Sequence, residues 1–419
     1  MRVWATVLMC ASAAVMAAPN NAPVTFNKDV LPIVEKRCQD CHRPGEAAPF
    51  SLLTYKDARP WARSIRQAVV TKKMPPWFAD PSVGHFSNDR SLTQREIDTL
   101  VAWVDGGAKE GDPKDAPAPR TFVEGWNIGK PDLVLQMPNA FDVPARGTIE
   151  YQYVILPTGL TEDKWVTKVE VRPEARSAMH HVIAYVREPG SKWFADEKPG
   201  VVFIPPKGQG GGALGIGGYV PGESFAPPAT PHRATLLKAG SDIVLQLHYT
   251  TNGTPTSDRT KVGFIFTDQP PTEKVVSSMA LQFRFAIPPG DPHYKVEASS
   301  IVKEDCDLIS MMPHAHLRGK SFVYKITRPN GETETILNVP RYDFNWQLTY
   351  FPAKPIHLPK GTKIEVTAYY DNSPNNPYNP DPSKEVRWGE QTWEEMMIGY
   401  YSVVVTDPQK QPQTSGAPE

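Results

Sequence analysis

The stretch that decides how the N-terminal part of the chain folds is Cys38-Gln39-Asp40-Cys41-His42. C-x-x-C-H is the attachment motif of a c-type haem: two thiols bond to the vinyl groups, and the adjacent histidine supplies the proximal ligand. A redox C-x-x-C pair and half of a zinc site are the alternatives. The histidine directly after Cys41 and the lack of a second cysteine pair argue against both. The sequence therefore predicts one covalent haem c on Cys38, Cys41 and His42.

Apolar residues on both sides of this motif are spaced as in helices. Val30 and Val34 form an apolar face that leads into the motif. Further along, Thr93 and Glu96 form a capping box in front of another apolar stripe. A helix before the haem motif and a closing helix after it is the arrangement of the class I cytochromes c. We therefore predict a small all-α cytochrome c domain over residues 24–111.

The haem iron needs a sixth ligand, and Met74 is the first candidate. It stands directly before two prolines, in a loop that cannot be helical, and so can present its thioether to the iron. No other methionine lies between Cys41 and the end of this region. A methionine packed in the core is the simpler alternative, and His85 is the rival ligand. We favour Met74 and keep His85 as the alternative.

The N-terminus has the features of a secretory signal peptide over residues 1–17. Arg2 precedes an apolar run over residues 3–16, and small residues flank a cleavage site before Ala18. A haem c protein with such a signal is expected in the periplasm or outside the cell. No later stretch has enough consecutive apolar residues to span a bilayer. Lys+Arg 45 against Asp+Glu 46 gives no charge excess, so no nucleic-acid partner is expected.

Of the four cysteines, Cys10 lies in the expected signal peptide and Cys38 and Cys41 in the haem motif, which leaves one. Cys306 has no partner left within the mature chain, so structural disulfides are not expected. A buried small hydrophobe is its simplest interpretation, and any further role stays open.

Beyond a Pro-rich linker over residues 112–120 the periodicity changes. Segments such as residues 168–172 and 363–367 alternate apolar and polar residues and are bounded by Gly and Pro, as strands are. We therefore predict a multidomain chain in which two all-β sandwiches follow the cytochrome domain. They are expected over residues 121–268 and 272–406, with a disordered tail over residues 408–419.

The histidines of this β part fall into three groups: the pair His180-His181, His248, and the pair His314-x-His316. Imidazoles at i and i+2 on a strand point to the same face, so His314 and His316 can grip one ion. Adjacent His180 and His181 point to opposite faces, and need a bulge or a strand end to converge. Imidazole suits copper and zinc, and a thioether partner selects Cu(I). A lone histidine such as His248 is more often structural, so only the combination favours copper.

The order of these groups resembles the copper type II, ascorbate-dependent monooxygenases, typified by peptidylglycine α-hydroxylating monooxygenase and dopamine β-monooxygenase. In that family an His-His pair and a later Gln-x-His-Tyr strand build one copper site. An His-x-His pair and a methionine after an acidic residue build the other. The resemblance implies two coppers, bound by His180, His181 and His248 and by His314, His316 and Met396. Met397 is the alternative methionine.

The resemblance also implies a fold and an activity. The fold is two jelly-roll sandwiches that face each other across a solvent-filled cleft. The three-histidine copper relays an electron, and the His-His-Met copper binds oxygen and hydroxylates a C–H bond. Gln246 and Tyr400 then fall among the residues that act in catalysis. A dense aromatic-polar run over residues 342–347 can line the cleft, although core packing is its simpler interpretation.

The whole chain is thus expected to be a periplasmic di-copper monooxygenase that hydroxylates a small organic substrate with O2. The fused cytochrome is foreign to the animal enzymes, which suggests that haem delivers the electrons. The external donor is expected to be a redox protein, a quinol or an ascorbate-like reductant. The alternative is a haem/copper protein that transfers electrons or binds copper without oxygenation.

Departures from the family concern the substrate. Peptide amidation uses an Arg two residues before the His-x-His pair, and an Asn and a Tyr shortly after the methionine. This sequence has Met312, Ile398 and Tyr400 at those positions, so only the tyrosine matches. Because an unpaired buried anion is costly, the missing carboxylate clamp predicts a neutral or weakly polar substrate.

Overall fold

The computed structural model describes most of the chain, namely residues 23–206, 215–221, 223–224 and 233–406. The expected signal peptide and the expected C-terminal tail lie outside these residues. Within them, β-structure dominates, and the helices are short and confined to the N-terminal region. The described helices are too short and too polar to cross a membrane.

The N-terminal region is built from short helices around a buried tryptophan. Trp103 is fully buried among Phe26, Val30 and Val34. The expected capping box is present, since the Thr93 hydroxyl accepts from the Glu96 backbone N–H and the Glu96 carboxylate accepts from that of Thr93. The helices are α1 (Leu31–Arg37), α2 (Tyr55–Ala58), α3 (Ala62–Val70) and α4 (Gln94–Asp105), with a π-helical turn at Phe26–Val30 and 3-10 turns at Arg59–Trp61 and Pro113–Asp115.

The rest of the chain is β-structure, as its alternating pattern predicts. The first half contains β1 (Leu133–Gln136), β2 (Phe141–Val143), β3 (Gln152–Pro157), β4 (Lys164–Arg172), β5 (Met179–Arg187), β6 (Gly215–Val220), β7 (Glu223–Ser224), β8 (Arg233–Leu237), β9 (Asp242–Tyr249), β10 (Thr256–Asp258) and β11 (Lys261–Thr267). The second half contains β12 (Glu273–Leu281), β13 (Ala286–Ile287), β14 (Tyr294–Ile301), β15 (Cys306–His314), β16 (Gly319–Thr327), β17 (Thr333–Val339), β18 (Ile356–Leu358), β19 (Lys363–Tyr370), β20 (Val386–Arg387) and β21 (Ile398–Thr406).

One eight-stranded sheet runs through both halves, in the order β1-β11-β4-β8-β12-β21-β15-β18. The halves meet in this sheet at the parallel pair β8–β12, where Arg233 lies opposite Glu273 and Ala234 opposite Lys274. The Arg233 guanidinium also donates to the Glu273 carboxylate at 2.6 Å. The strands on either side of the expected domain boundary are therefore joined in a single sheet.

Each half adds a second sheet, and a hydrophobic core lies between the layers. In the first half the second sheet has the order β3-β9-β5-β6-β7, and its Val182 packs in one buried cluster with Phe264 of the large sheet. In the second half the order is β14-β19-β16-β17, and Phe322 packs with Leu308 of the large sheet. Cys306 is buried in this second core, as expected of a small hydrophobe.

The N-terminal region contacts both halves of the β-structure. Trp77 belongs to the second core, with its ring centroid 5.0 Å from that of Tyr350. The backbone N–H of Asp80 donates to the carbonyl of Asn338 at 2.8 Å. On the first half, Arg176 forms an ion pair with Glu46, close to the C-x-x-C-H motif. The motif is therefore held against the β-structure rather than on a free arm.

Candidate metal centre

A β-bulge brings together the first group of histidines. In the pairing of β5 with β9, Met179 lies opposite Tyr249 and His181 opposite His248, so His180 is the extra residue of the bulge. The Nδ1 atoms of His180 and His181 consequently lie 3.0 Å apart. Of the two arrangements that the sequence left open for adjacent histidines, a bulge or a strand end, the structure has the bulge.

The three imidazoles of His180, His181 and His248 can hold a metal ion. Their ligand nitrogens lie within 4.8 Å of one another, and all three residues are buried. His180 Nε2, His181 Nε2 and His248 Nδ1 have no hydrogen-bond partner among the described residues. Burial lowers the pKa of His180 to about 4 and holds the pKa values of His181 and His248 well below the ordinary value. The rings are therefore neutral at pH 7, which is the form that binds metal.

Side-chain bonds orient the second pair. His314 Nδ1 donates to Gln347 Oε1 at 2.8 Å, and His316 Nδ1 donates to the Glu394 carbonyl at 3.2 Å. With each Nδ1 so engaged, Nε2 is the nitrogen left to bind a ligand. His316 Nε2 is buried, and the described part of the chain offers it no partner. Burial lowers the pKa of His314 to about 4 and that of His316 to about 3.

The prediction that strand alternation aligns this pair is wrong. His314 is the last residue of β15, and His316 lies in the turn beyond it. The ring centroids are 5.4 Å apart, with the rings nearly perpendicular. The turn itself, not the period of a strand, sets the directions of the two rings.

A buried carboxylate, that of Glu395, fixes this turn. It accepts from the backbone N–H groups of His316 at 2.8 Å and of Arg318 at 2.6 Å. Burial raises the pKa of Glu395 to about 7, although these N–H groups and the Arg318 charge favour the ionised form. Glu395 was not among the residues that the sequence predicted to act at this site. An acidic residue directly before the apolar run that starts at Met396 was the available signal.

The two candidate methionines differ in burial. Met397 is fully buried in the second core. Met396 is only half-buried, and its backbone N–H donates to the carboxylate of Glu395, which also contacts His316. Met397 is therefore committed to the core, whereas Met396 is not.

Two aromatic rings lie between the two groups of histidines. The Tyr151 ring centroid is 4.4 Å from that of His248 and 6.4 Å from that of His316. The Phe344 ring stacks on His180 at 4.6 Å and lies 6.1 Å from the ring of His316. A solvent-filled cleft was expected between the two groups, whereas the structure has these two rings there. The eight-stranded sheet that both halves share holds the halves together. Tyr151 had no signal in the sequence, whereas Phe344 lies in the aromatic-polar run.

A cavity of about 260 Å³ is lined by residues of both halves. Its lining includes His181 of the first group and Gln347, which holds His314. Met312 and Tyr400 also line it, and the Tyr400 ring lies 6.1 Å from that of His314. Gln246, the other expected catalytic residue, is buried and donates to the Tyr153 hydroxyl.

The haem motif forms a tight turn directly after α1. The backbone N–H of His42 donates to the Cys38 carbonyl at 2.9 Å, and its Nδ1 donates to the Phe50 carbonyl at 3.2 Å. This leaves His42 Nε2 as the nitrogen available to a metal. Burial raises the pKa of the Cys38 thiol to about 12 and that of Cys41 to about 11. Both thiols are free and half-buried.

The rival distal residues lie in different surroundings. Met74 is half-buried and follows the end of α3, whose Ala68 carbonyl accepts from its backbone N–H. His85 is exposed, and its carbonyl accepts from Ala353 of the second half at 2.7 Å.

Comparison with known families gives one match. Residues 275–408 match the C-terminal domain of the copper type II ascorbate-dependent monooxygenases. This part is about a third of the chain and contains His314, His316 and Met396. The match supports the family, and with it an oxidoreductase that uses copper. No curated protein matches the chain.

Solved structures show only weak likenesses. A structure of infectious bursal disease virus Gx strain is 9% identical, covering 66% of this chain and 71% of its own, with a TM-score of 0.20. A Paenibacillus xanthan lyase is 11% identical, and the match covers 72% of this chain and 28% of the lyase, with a TM-score of 0.17. The mavirus major capsid protein is 7% identical, and the match covers 71% of this chain and 92% of the capsid protein, with a TM-score of 0.20. Likenesses this weak carry no argument.

Proposed function

We propose that this chain is a copper-dependent monooxygenase that uses O2 to hydroxylate a C–H bond of a small organic substrate. The convergence of two sets of buried, neutral imidazoles on the rings of Tyr151 and Phe344 carries the proposal, and His181 of the first set lines the cavity. One copper is assigned to His180, His181 and His248, and the other to His314, His316 and Met396. The family match over residues 275–408 supports copper at the second set.

The donor set fits copper. Neutral imidazole nitrogen suits Cu(I) and Cu(II), and the Met396 thioether would favour Cu(I) at the second set. Bound copper would supply one-electron redox chemistry and an open position for oxygen. His316 Nε2 and His248 Nδ1 are buried and have no hydrogen-bond partner among the described residues, and a bound metal would satisfy both nitrogens.

The surrounding residues orient ligands and exclude water. Gln347 and the Glu394 carbonyl keep the protons of His314 and His316 on Nδ1, so that Nε2 is the nitrogen that would bind the metal. Phe344 packs against both histidine sets and occupies space that water would otherwise fill. Tyr400 borders the cavity near His314, where it can position a substrate.

We also propose that the N-terminal region is a cytochrome c domain that delivers the electrons. Cys38 and Cys41 would bond to the haem, and His42 Nε2 would bind its iron. The hydrogen bond from His42 Nδ1 to Phe50 supports this role, since it fixes the tautomer. Half-buried Met74 suits the distal position better than His85, which is exposed. Haem c and the N-terminal signal together favour a periplasmic or secreted enzyme with an external electron donor.

The contacts of the β-structure suggest where electrons enter. Glu46, four residues after His42, pairs with Arg176 of the first half. Tyr219 of β6, which lines a cavity together with Glu46, lies opposite Val182, the neighbour of His181. These contacts link the C-x-x-C-H motif to the strand that carries His181, in the set that is proposed to relay the electron.

Labelled oxygen tests the activity. The copper- and haem-loaded protein, given a reductant and ¹⁸O2, should place one ¹⁸O atom in a product from a panel of small neutral substrates. His357→Ala is the matched control, because His357 is exposed and lies outside both sets. The proposal fails if no substrate on the panel supports O2 consumption and no product carries the label. Electron transfer or copper binding without oxygenation is then the better account.

A further prediction concerns carboxylate substrates. Met312 lines the cavity where an arginine clamp is absent, and Arg233 is engaged by Glu273. We therefore expect little turnover of glycine-extended peptides relative to neutral substrates. Lys168 also lines the cavity, so it is the residue to test if such peptides are amidated efficiently. Efficient amidation that Lys168→Met abolishes would mean that Lys168 supplies the clamp.

A further inference from the structure

The side-chain amide of Gln347 has a hydrogen bond at its oxygen but none at its nitrogen among the described residues. Its Oε1 accepts the proton of His314 Nδ1 at 2.8 Å, which sets the orientation of the amide. Its Nε2 is buried, and no described residue accepts a hydrogen bond from it. The whole residue is 1% exposed. A buried N–H donor without an acceptor is costly, so its presence in a folded protein calls for an explanation.

The surroundings of Gln347 point to a ligand. Gln347 lines the cavity of about 260 Å³ between the two halves, together with His181. The lining includes apolar side chains, such as Met312, Met279 and Phe351, together with polar ones, such as Lys168 and Ser310. A cavity of this size and mixed lining suits a small organic molecule whose orientation a hydrogen bond from Gln347 can fix.

We propose that Gln347 is a specificity-determining residue, whose amide N–H donates to a carbonyl or hydroxyl oxygen on a small, otherwise apolar substrate. That this ligand is the substrate rests on the proposed function, whereas the ligand chemistry rests on the cavity alone. The same side chain holds His314, so it fixes the oxygen of the ligand relative to the second histidine set. One residue thereby links the orientation of a metal ligand to that of the substrate.

A neutral acceptor fits this donor better than a carboxylate. An amide N–H supplies no charge, so it does not offset the cost of burying a carboxylate. A site that hydrogen-bonds a ligand oxygen rejects the analogue that lacks it, because the buried donor is then left unpaired. The cavity should therefore discriminate between two molecules of the same shape that differ only in an acceptor.

Acetophenone and α-methylstyrene are such a pair, since a C=CH2 group replaces the C=O group on a trigonal carbon, and their dissociation constants can be measured by calorimetry on the full, copper-loaded chain. Wild-type protein should bind acetophenone more tightly than α-methylstyrene by about tenfold. Gln347→Glu keeps an oxygen for His314 Nδ1 but replaces the donor, so the preference should vanish while copper stays bound. Gln347→Met should also lose it. Met279→Leu, at another wall of the cavity, should retain it.

The proposal is overturned if wild-type protein binds neither probe or binds both equally, or if the preference survives in Gln347→Glu and Gln347→Met. The wild-type comparison decides the matter alone should both variants fail to fold. Repeating it on metal-free protein separates this inference from the proposed function, since the amide remains when copper is removed. A retained preference in a protein that hydroxylates nothing would defeat the proposed function but not the donor role of Gln347.

Discussion

The two histidine sets are built in different ways. The first set is positioned by the backbone: β5 and β9 pair directly, and a bulge at His180 turns three imidazoles toward one another. The second set is positioned by side chains from distant parts of the chain. Gln347 is 33 residues from His314, and Glu395 is 79 residues from His316. One set is therefore as rigid as its sheet, whereas the other depends on polar contacts that single substitutions can remove.

This difference suits the proposed division of work. An electron-relay site benefits from a geometry that does not change, and a bulged strand pair inside a sheet provides it. A site that must admit oxygen and substrate benefits from ligands at a strand end beside a cavity. His314 ends β15 and contacts Gln347, which lines that cavity.

The largest expected effect is the loss of all hydroxylation in His314→Ala. Removal of this imidazole takes away one of three ligands at the second set and leaves the buried amide of Gln347 unpaired on both sides. Product formation and the haem absorption spectrum are the measurements. The haem spectrum should not change, and His357→Ala should match wild type in both. An active His314→Ala enzyme would remove the second set from catalysis.

The next effect separates the two sets by their place in the electron path. If the N-terminal region carries haem as proposed, reduced haem should re-oxidise in oxygen in the wild type, and far more slowly in His248→Ala, because the copper proposed to relay the electron is lost. Stopped-flow absorbance of the haem band measures both rates. Equal re-oxidation rates in wild type and His248→Ala would mean that the cytochrome serves another acceptor.

Replacing Met74 with Ala should shift the haem potential and slow turnover without displacing copper.

The sequence predicted the first set better than the second for a physical reason. The need for a bulge at His180-His181 follows from the two-residue period of a strand, which is a local property. The turn that carries His316 is fixed by Glu395, a contact between segments that only the fold brings together. No local pattern encodes such a contact.

The architecture shows the same limit. Alternating residues predicted the strands, and apolar spacing with a capping box predicted α1 and α4. The parallel pair β8–β12, which joins the halves into one sheet, is a long-range pairing that no periodicity reveals. The positions of Tyr151 and Phe344 between the histidine sets are likewise long-range contacts, which the local pattern does not reveal.

A smaller effect distinguishes the two methionines. Met396→Leu should weaken Cu(I) binding at the second set by about 10–100-fold, since a thioether ligand is lost. Met397→Leu is the matched control: the swap conserves volume in the second core and should cost less than about 1.5 kcal/mol of stability, with copper affinity unchanged. Competition with a Cu(I) chelator and thermal unfolding measure the two quantities. The reverse result would make Met397 the ligand.

Copper content tests the central claim, that two separate sites exist although their histidines lie within one aromatic neighbourhood. Copper per chain is measured by mass spectrometry of metals in protein loaded with copper and freed of excess. We predict two coppers in the wild type, one in His248→Ala, one in His314→Ala and none in the double variant. A single copper in the wild type that either substitution removes would contradict the account, because the two sets would then form one shared site.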